Sequence, residues 1–597
     1  MFIKYIDSKR LLKNSEVVLR NPQGGMRSGT ANPAKRDEKR HFEGTERLRN
    51  LLRFLSRLIG KEMTIQSVFS NHAKRNEKSY RNNKFLASVE MTNDIYKKSI
   101  VSKKIFILLF ICCNLFGQIK DSTALTGRTV LSNLRELRDQ LDDSFNDPNF
   151  NNAVWGVLVK SLKTGEIIYK RNSDKLFNPA SNIKLFTSAS ALKLLGPNYV
   201  YQTNILANGI IKSGKLEGDL IIQGFADPSI SNRFFKGNTY AIFESWADSL
   251  LSKGIKVVTG NIYGDDAAFD NNNFGKGWIL DNDSNWFLAP SGALCFNDNK
   301  AMIKINPTEI GLPAEIELIP NTKFISLVKK VITVDNTIHQ NISINRLSGS
   351  NTINIIGSIQ KNSEPIVEYI SVLNPTLYFL TVLKETLEGK GISIKGKISS
   401  IIYADKIIIA ENLSHLFTHE SVPLHMIIKE LNKNSNNFYA EQLIKTIGYE
   451  TYNYGSTENG VQAAKSFFNS MGIDPYTFVM VDGSGLSRLN LVSPRQIVNL
   501  LTFMYSSEEF VIFYDSLPIG GMDGTLANRM RKITAEGNVR AKPGFNENIS
   551  TLSGYLNTIS GEPLVFSIIV NNFLVSPNLA TYIVDNVCNK LVNFVRN

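Results

Sequence analysis

Ser181-Asn182-Ile183-Lys184 sets a hydroxyl and an amine three residues apart. On a helix that spacing brings both to one face. A serine is a weak nucleophile until a base takes its proton. A lysine can be that base when burial and a nearby cation lower its pKa. The chemistry is acyl transfer through a serine ester. A helix N-terminus adds the Ser181 backbone N–H as an oxyanion donor. Alone, the element also fits a capping serine followed by a solvated lysine, the risk with any short motif.

Two further elements could complete such a site. Ser435-Asn436-Asn437 offers a hydroxyl that can relay a proton and an amide that can grip a peptide backbone. Its ordinary reading is a polar loop. Lys542-Pro543-Gly544 precedes the strand-like run Ile549–Leu556. A basic residue and a glycine on an edge strand can hold a carboxylate and allow close approach of substrate. Its ordinary reading is a β-turn.

The elements that must position these residues are legible from periodicity. Residues 122–150 read as a helix, with Leu131, Leu134, Leu137 and Leu141 at helical spacing. Trp155–Lys160, the turn Lys163-Thr164-Gly165 and Glu166–Arg171 form a hairpin. Pro179-Ala180-Ser181 opens a helix that Gly196-Pro197 closes. From about 200 to 415, short β-branched runs punctuated by Gly, Asn, Asp and Pro predict β-rich material. These runs include Leu220–Ile222, Ile255–Ile262, Met302–Ile305, Ile316–Ile319, Ser343–Arg346, Thr352–Ile356 and Ile392–Ile402. Beyond 420, helices return at Pro423–Lys433, Tyr439–Ile447 and Gly460–Met471. Ser493-Pro494 caps another. A strand at Leu564–Asn571 and a helix from about Asn578 to Arg596 end the chain. The plan is an α/β (α+β) unit split by a β-rich insertion.

The active-site serine enzymes that bind penicillin carry S-x-x-K, then S-x-N, then K-T-G or a variant, in that order. The stretch from Asn178 through Leu195-Gly196 closely resembles the class C low-molecular-mass penicillin-binding proteins, which are D-Ala-D-Ala carboxypeptidases and endopeptidases. Family-like blocks follow at Gly218–Ser229, Ala289–Leu294 with Asn297-Asp298-Asn299, and His419–Leu424. Others are Asn434–Leu443, Asp482–Arg488 and Met522–Leu526. The resemblance covers about 150–590. It implies a β-lactamase/transpeptidase-like catalytic domain, an antiparallel sheet between helical layers interrupted by inserted domains. The 254 residues from Ser181 to Ser435 match that insertion. The expected division is catalytic at 118–205 and 416–597, inserted at 206–415.

The resemblance also implies roles. Ser181 attacks the penultimate D-Ala carbonyl, Lys184 takes its proton, and Ser435 passes a proton to the leaving amine. Asn437 holds the substrate backbone. Lys542 attracts the terminal carboxylate, and its charge helps keep Lys184 neutral. Asp482 has a supporting role. Peptidoglycan stem peptides are the implied substrates and β-lactams the implied acylating inhibitors. No cofactor or metal is implied. Pro543 departs from the family pattern, which has Thr or Ser there, and Phe545 stands where Thr is common. Pro543 lacks a hydroxyl for the substrate carboxylate. By strand alternation its nitrogen and that of Phe545 share one edge, so the Phe545 N–H stays available as an oxyanion donor. Two other readings remain open: a non-catalytic peptidoglycan-binding relative disabled at Pro543, and a β-lactamase, which lacks a convincing Glu-x-x-Leu-Asn element here.

Charge and targeting bound the rest. The 597 residues carry a formal charge of +13. Residues 1–117 hold 24 basic against 10 acidic side chains, and the remainder 43 against 44. The part from 118 on therefore lacks the basic surface of a nucleic-acid binder. Lys97, Lys98, Lys103 and Lys104 precede the 12-residue apolar run Ile105–Phe116. This reads as a secretory signal peptide over 91–117, too short to span a bilayer. Export to the periplasm, with no integral span after cleavage, is expected. Translation is expected to start at Met91, with the basic 1–90 segment belonging to an over-extended frame. Cys295 and Cys588 are expected to be buried thiols. His415, His419 and His425 lack a zinc-site pattern.

Overall fold

Antiparallel pairing of residues more than 350 apart builds the sheet on which the site rests. A computed structural model describes residues 133–596, apart from 281–282, 405–407 and 409. All lie in one folded unit, Leu125–Asn597. The signal segment at 91–117, residues 1–90 and Leu131 lie outside the described residues.

Helix α1 (Leu134–Phe145) is capped by the Asn133 side chain and buries Leu137, Leu141 and Phe145, one stripe at i, i+4, i+8. It ends before Asp147-Pro148, so the helix expected to reach residue 150 stops short and a 3-10 turn, Pro148–Phe150, follows. The hairpin is β1 (Val154–Ser161) and β2 (Ile167–Arg171). Ala180–Asn182 form a 3-10 turn that runs into α2 (Ile183–Leu195), closed by Gly196 at φ 86°. After the insertion come α3 (Leu424–Asn434), α4 (Asn437–Tyr452), α5 (Thr457–Ser470), α6 (Pro494–Tyr505) and α7 (Phe510–Ser516). The chain then makes β3 (Arg540–Asn546), β4 (Ile549–Asn557), β5 (Pro563–Asn571) and α8 (Pro577–Val592). A reciprocal Ser493–Gln496 capping box with Pro494 at the first position starts α6.

The sheet order is β3-β4-β5-β1-β2. Each neighbouring pair is antiparallel. Side chains alternate across it. Trp155, Val157, Val159, Phe566 and Ile568 pack with α1 and α8. Leu158, Val565 and Ile569 pack with the layer holding α2 to α6. Each fully buried Leu, Ile, Val or Phe contributes about 1.5–3 kcal/mol of transfer free energy, so the two-sided core anchors β3 at one edge. At Gly156 any Cβ would lie 2.4 Å from the Phe177 ring, which leads into the serine turn. The α/β class and the antiparallel sheet between helical layers are as the resemblance implied.

The insertion is more helical than its sequence texture suggests. Its largest sheet has seven strands, built on the hairpin Gln202–Lys212 and Lys215–Gly224 with Ser414–Glu420 at its edge. Two three-stranded sheets follow, Lys300–Asn306 with Glu315–Ile319 and Ile366–Ser371, and Ser326–Val334 with Asn341–Arg346 and Thr352–Gln360. The strands Gln202–Lys212 and Ser414–Glu420 run across the positions 205/206 and 415/416 at which the insertion was expected to begin and end. Helices Ala241–Ser252 and Pro375–Gly389 cover the sheets, and residues from all three sheets and both helices share one apolar core. Among the described residues no helix is long and apolar enough to cross a membrane.

Candidate active site

The turn carrying Ser181 is held from four sides. Asn178 Oδ1 accepts the Ala180 N–H at 3.0 Å, and the Asn178 N–H donates to Asn571 Oδ1 at 2.9 Å. Thr551 Oγ1 donates to the Pro179 carbonyl at 3.2 Å. The Asn182 amide donates to the Lys542 carbonyl at 2.8 Å, and Ser553 Oγ lies 2.6 Å from Asn182 Oδ1. Ala180 has φ 46°. A non-glycine residue persists in this region only where its surroundings over-determine it, and these five contacts do so. Asn182 and Ser553 carry no motif signal, so sequence reasoning missed them.

Lys184 is fully buried behind Ser181. Its Nζ lies 3.2 Å from Ser181 Oγ, 2.5 Å from Asn437 Oδ1 and 2.6 Å from the Ser484 carbonyl. The two shorter partners can only accept. They take two N–H bonds, and a neutral amine keeps one lone pair for the serine hydroxyl. Burial pushes the Lys184 ammonium down to about 7, against the charges of Asp482 and Glu441, which raise it. Burial, rather than the Lys542 charge, is thus the main cause of its low pKa.

The loop 482–490 supplies the Ser484 carbonyl. Asp482 Oδ1 accepts from the Gly485 N–H at 2.9 Å and from Asn490 Nδ2 at 2.7 Å. Its Oδ2 accepts from the Ser487 N–H at 2.7 Å and from Trp278 Nε1 at 3.0 Å. Asp482 is therefore a hub that shapes the loop. Gly485, at φ 85°, packs so closely on the serine turn that a Cβ would lie 1.9 Å from the Ala180 carbonyl.

Ser435 caps α3 in the left-handed region, φ 54°, and Asn437 begins α4. The Lys542 ammonium, fully buried, donates to Ser435 Oγ and to the Pro543 carbonyl, both at 2.8 Å. Burial and then the Lys184 charge push Lys542 well below the ordinary lysine range. The site thus contains two serine–lysine pairs, Ser181 with Lys184 and Ser435 with Lys542. Asn437 links the first pair to the cleft wall, because its Nδ2 donates to the Phe287 carbonyl at 3.1 Å.

β3 is the sheet's edge strand. The Pro543 carbonyl takes the Lys542 ammonium, so this residue turns its polar groups to the open edge, where a missing N–H costs no ladder bond. Phe545 follows on the same edge, 57% exposed. Gly544 was expected to let substrate approach. Its Cα instead packs on the serine turn, where a Cβ would meet the Ser181 nitrogen at 2.8 Å.

The histidines serve elsewhere. His415 meets Thr418 Oγ1, His419 lies 3.3 Å from Asp227 and packs on Trp246, and His425 faces the Pro197 carbonyl. Among the described residues no group of three or more His, Cys, Asp or Glu is disposed to hold a metal. Cys295 and Cys588 are free and buried.

Comparison with known proteins agrees with this geometry. A D-alanyl-D-alanine carboxypeptidase of Actinomadura sp. is 32% identical over 451 residues, 73% of this chain and 81% of that protein. The D-alanyl-D-alanine carboxypeptidase DacB of Haemophilus influenzae is 26% identical over 431 residues, 70% of this chain and 85% of that protein. The crystal structure of penicillin binding protein 4 from Haemophilus influenzae shares the fold with a TM-score of 0.67 at 24% identity, covering 76% of this chain and 99% of that one. The model of the D-Ala-D-Ala carboxypeptidase 3 (S13) family matches residues 137–590, and the chain belongs to that family.

Proposed function

We propose that this chain is a serine DD-peptidase that hydrolyses the D-Ala-D-Ala bond of peptidoglycan stem peptides through an acyl-enzyme on Ser181. The observation that carries the reading is the Lys184 amine. It is buried, brought to about 7, bonded to two carbonyl acceptors and 3.2 Å from Ser181 Oγ. A base is most effective when its pKa lies near the working pH.

The steps follow from the residues. Ser181 Oγ attacks the penultimate D-Ala carbonyl as its proton passes to Lys184. The backbone N–H groups of Ser181 and Phe545 receive the developing oxyanion. Ser435 relays the proton taken by Lys184 to the departing D-Ala amine, and the Lys542 ammonium attracts the substrate carboxylate. Asn437 releases the Phe287 carbonyl to bind the substrate backbone. Water then attacks the ester; Lys184 takes its proton and passes it to Ser181 Oγ as the ester bond breaks. β-Lactams acylate the same serine. The same chemistry applies to a D-Ala-diaminopimelate crosslink, an amide with a larger leaving group. Export through the 91–117 segment would bring the enzyme to its substrate in the periplasm.

Labelling with a fluorescent penicillin tests the reading. Wild-type protein is expected to be labelled and Ser181→Ala is not; absence of label on wild type removes the enzyme reading. Peptidoglycan digests then separate lost crosslinks from lost terminal D-Ala. Mass spectrometry of the cellular protein reads its true N-terminus.

A further inference from the structure

Glu441 is a buried carboxylate that the steps above leave unused. It stands four residues after Asn437 on α4, so both lie on one helix face. Asn437 meets Lys184 directly, whereas Glu441 meets the loop behind it. Its Oε1 accepts the backbone N–H groups of Gly483 at 3.1 Å and Ser484 at 2.8 Å. The carbonyl of that same Ser484 accepts Lys184 Nζ at 2.6 Å. The loop lies so close to α4 that a Cβ on Gly483 would be 2.5 Å from the Ala440 carbonyl. Thr187 of α2 closes the other side, its hydroxyl donating to the Gly483 carbonyl at 2.6 Å. One residue, Ser484, therefore separates the Glu441 carboxylate from Lys184, and it is pinned at both ends.

We propose that Glu441 is a positioning residue for Lys184: it clamps the Gly483–Ser484 backbone so that the Ser484 carbonyl fixes one Lys184 N–H, and its charge stabilises the ammonium formed when Lys184 takes the Ser181 proton. This rests on the serine-peptidase reading. The titratable groups facing Lys184 are Glu441 from α4, Asp482 from the loop and Lys542 from β3. Asp482 is engaged by four donors, whereas Glu441 Oε1 engages two backbone donors from neighbouring residues. Burial and then the Asp482 charge push the Glu441 carboxyl up, while the Ser484 hydrogen bonds and the Lys184 charge draw it back down. A proton gained by Lys184 therefore favours the ionised form of Glu441, and an ionised Glu441 favours a charged Lys184.

The test is the pH dependence of the second-order rate of acylation by a fluorescent penicillin. Glu441→Gln keeps a carbonyl oxygen for both N–H groups but removes the charge. The acid limb, on which the rate rises as Lys184 loses its proton, is expected to move about one unit lower in pH. The plateau rate is expected to fall about tenfold. A limb that coincides with wild type overturns the proposal, since a merely structural contact would lower stability or rate without moving it. Glu441→Asp keeps the charge and shortens the reach. Its limb is expected to stay in place while the rate falls, and a full rate or a displaced limb overturns the proposal even if the Gln variant does not fold. Failure of the parent reading is separate: it would appear as unlabelled wild type, or as label retained by Ser181→Ala.

Discussion

Two groups of buried cations among the described residues are treated in opposite ways. In the cleft, Lys184 and Lys542 bond to hydroxyls, an amide and carbonyls, with no carboxylate in direct contact. Both are pushed below the ordinary lysine range. Where the insertion meets α3 and α4, the cations have carboxylate partners. Arg233 reaches Asp298 at 2.6 Å and Glu430 at 2.7 Å, and Lys300 reaches Asp298 at 3.0 Å. Lys445 reaches Asp270 at 2.7 Å. Burial pushes the Asp298 carboxyl up, but Lys300 and Arg233 overcome it and hold it down to about 2. A carboxylate in contact thus makes a fixed structural charge, whereas neutral acceptors beside a second lysine leave an amine free to exchange a proton.

Removing the amine is the harshest test of the cleft half of this contrast. Lys184→Met is expected to lower the penicillin acylation rate by about 10³-fold or more, since general-base catalysis contributes on that order. A smaller loss would assign the proton to another group. On the junction side, Asp298→Ala strands Lys300 in a buried site and leaves Arg233 with Glu430 alone. Breaking such a pair costs about 3–5 kcal/mol, to be read by urea denaturation. The Tyr439 hydroxyl, 3.2 Å from Asp298, loses its partner in the same variant. The pH dependence has a definite sign. Asp298 has a depressed folded-state pKa, so its contribution, about 2 kcal/mol at about 1.4 kcal/mol per unit, is present above about pH 4. It is lost as pH falls towards 2, and Asp298→Asn should flatten that part of the stability profile.

Converting one kind of site into the other sharpens the comparison further. Asn437→Asp puts a carboxylate against Lys184, as at the junction. The acid limb of acylation is expected to rise by about two pH units, with a matching loss of rate at neutral pH. An unmoved limb would show that contact with a carboxylate is not what distinguishes the two sites. The smallest effect is expected at Pro543. Pro543→Thr adds a hydroxyl on the cleft edge and should raise kcat/KM for a D-Ala-D-Ala peptide by about tenfold, the low end of the value of one hydrogen bond to a charged group. No change would show that this hydroxyl is dispensable here.

Much of this was legible in the chain because local rules act locally. The Gly196 helix stop, the Ser493-Pro494 start and the hairpin at Lys163-Thr164-Gly165 each depend on a few neighbouring residues. The two helices of the insertion were not anticipated, because they lie among β-branched runs. Asn374-Pro375 did carry a signal, since the Asn374 side chain caps the helix and Pro375 takes its first position. Glu441 could have been found as the residue one helical turn beyond Asn437. Nothing local marks the tie of Asn182 to Lys542 and Ser553, 360 or more residues away, or that of Asp298 to Arg233, 65 residues away.

The sequence by itself determined which residues could do the chemistry, their order and the family, since motifs and periodicity are properties of short segments. Only the tertiary structure decided how the amines behave. Their pKa values depend on burial and on partners contributed by α4, the 482–490 loop and β3. The same structure assigned Gly544 to the serine turn, because the close approach that excludes a side chain there is made by the Thr551 hydroxyl and by a backbone more than 360 residues earlier in the chain.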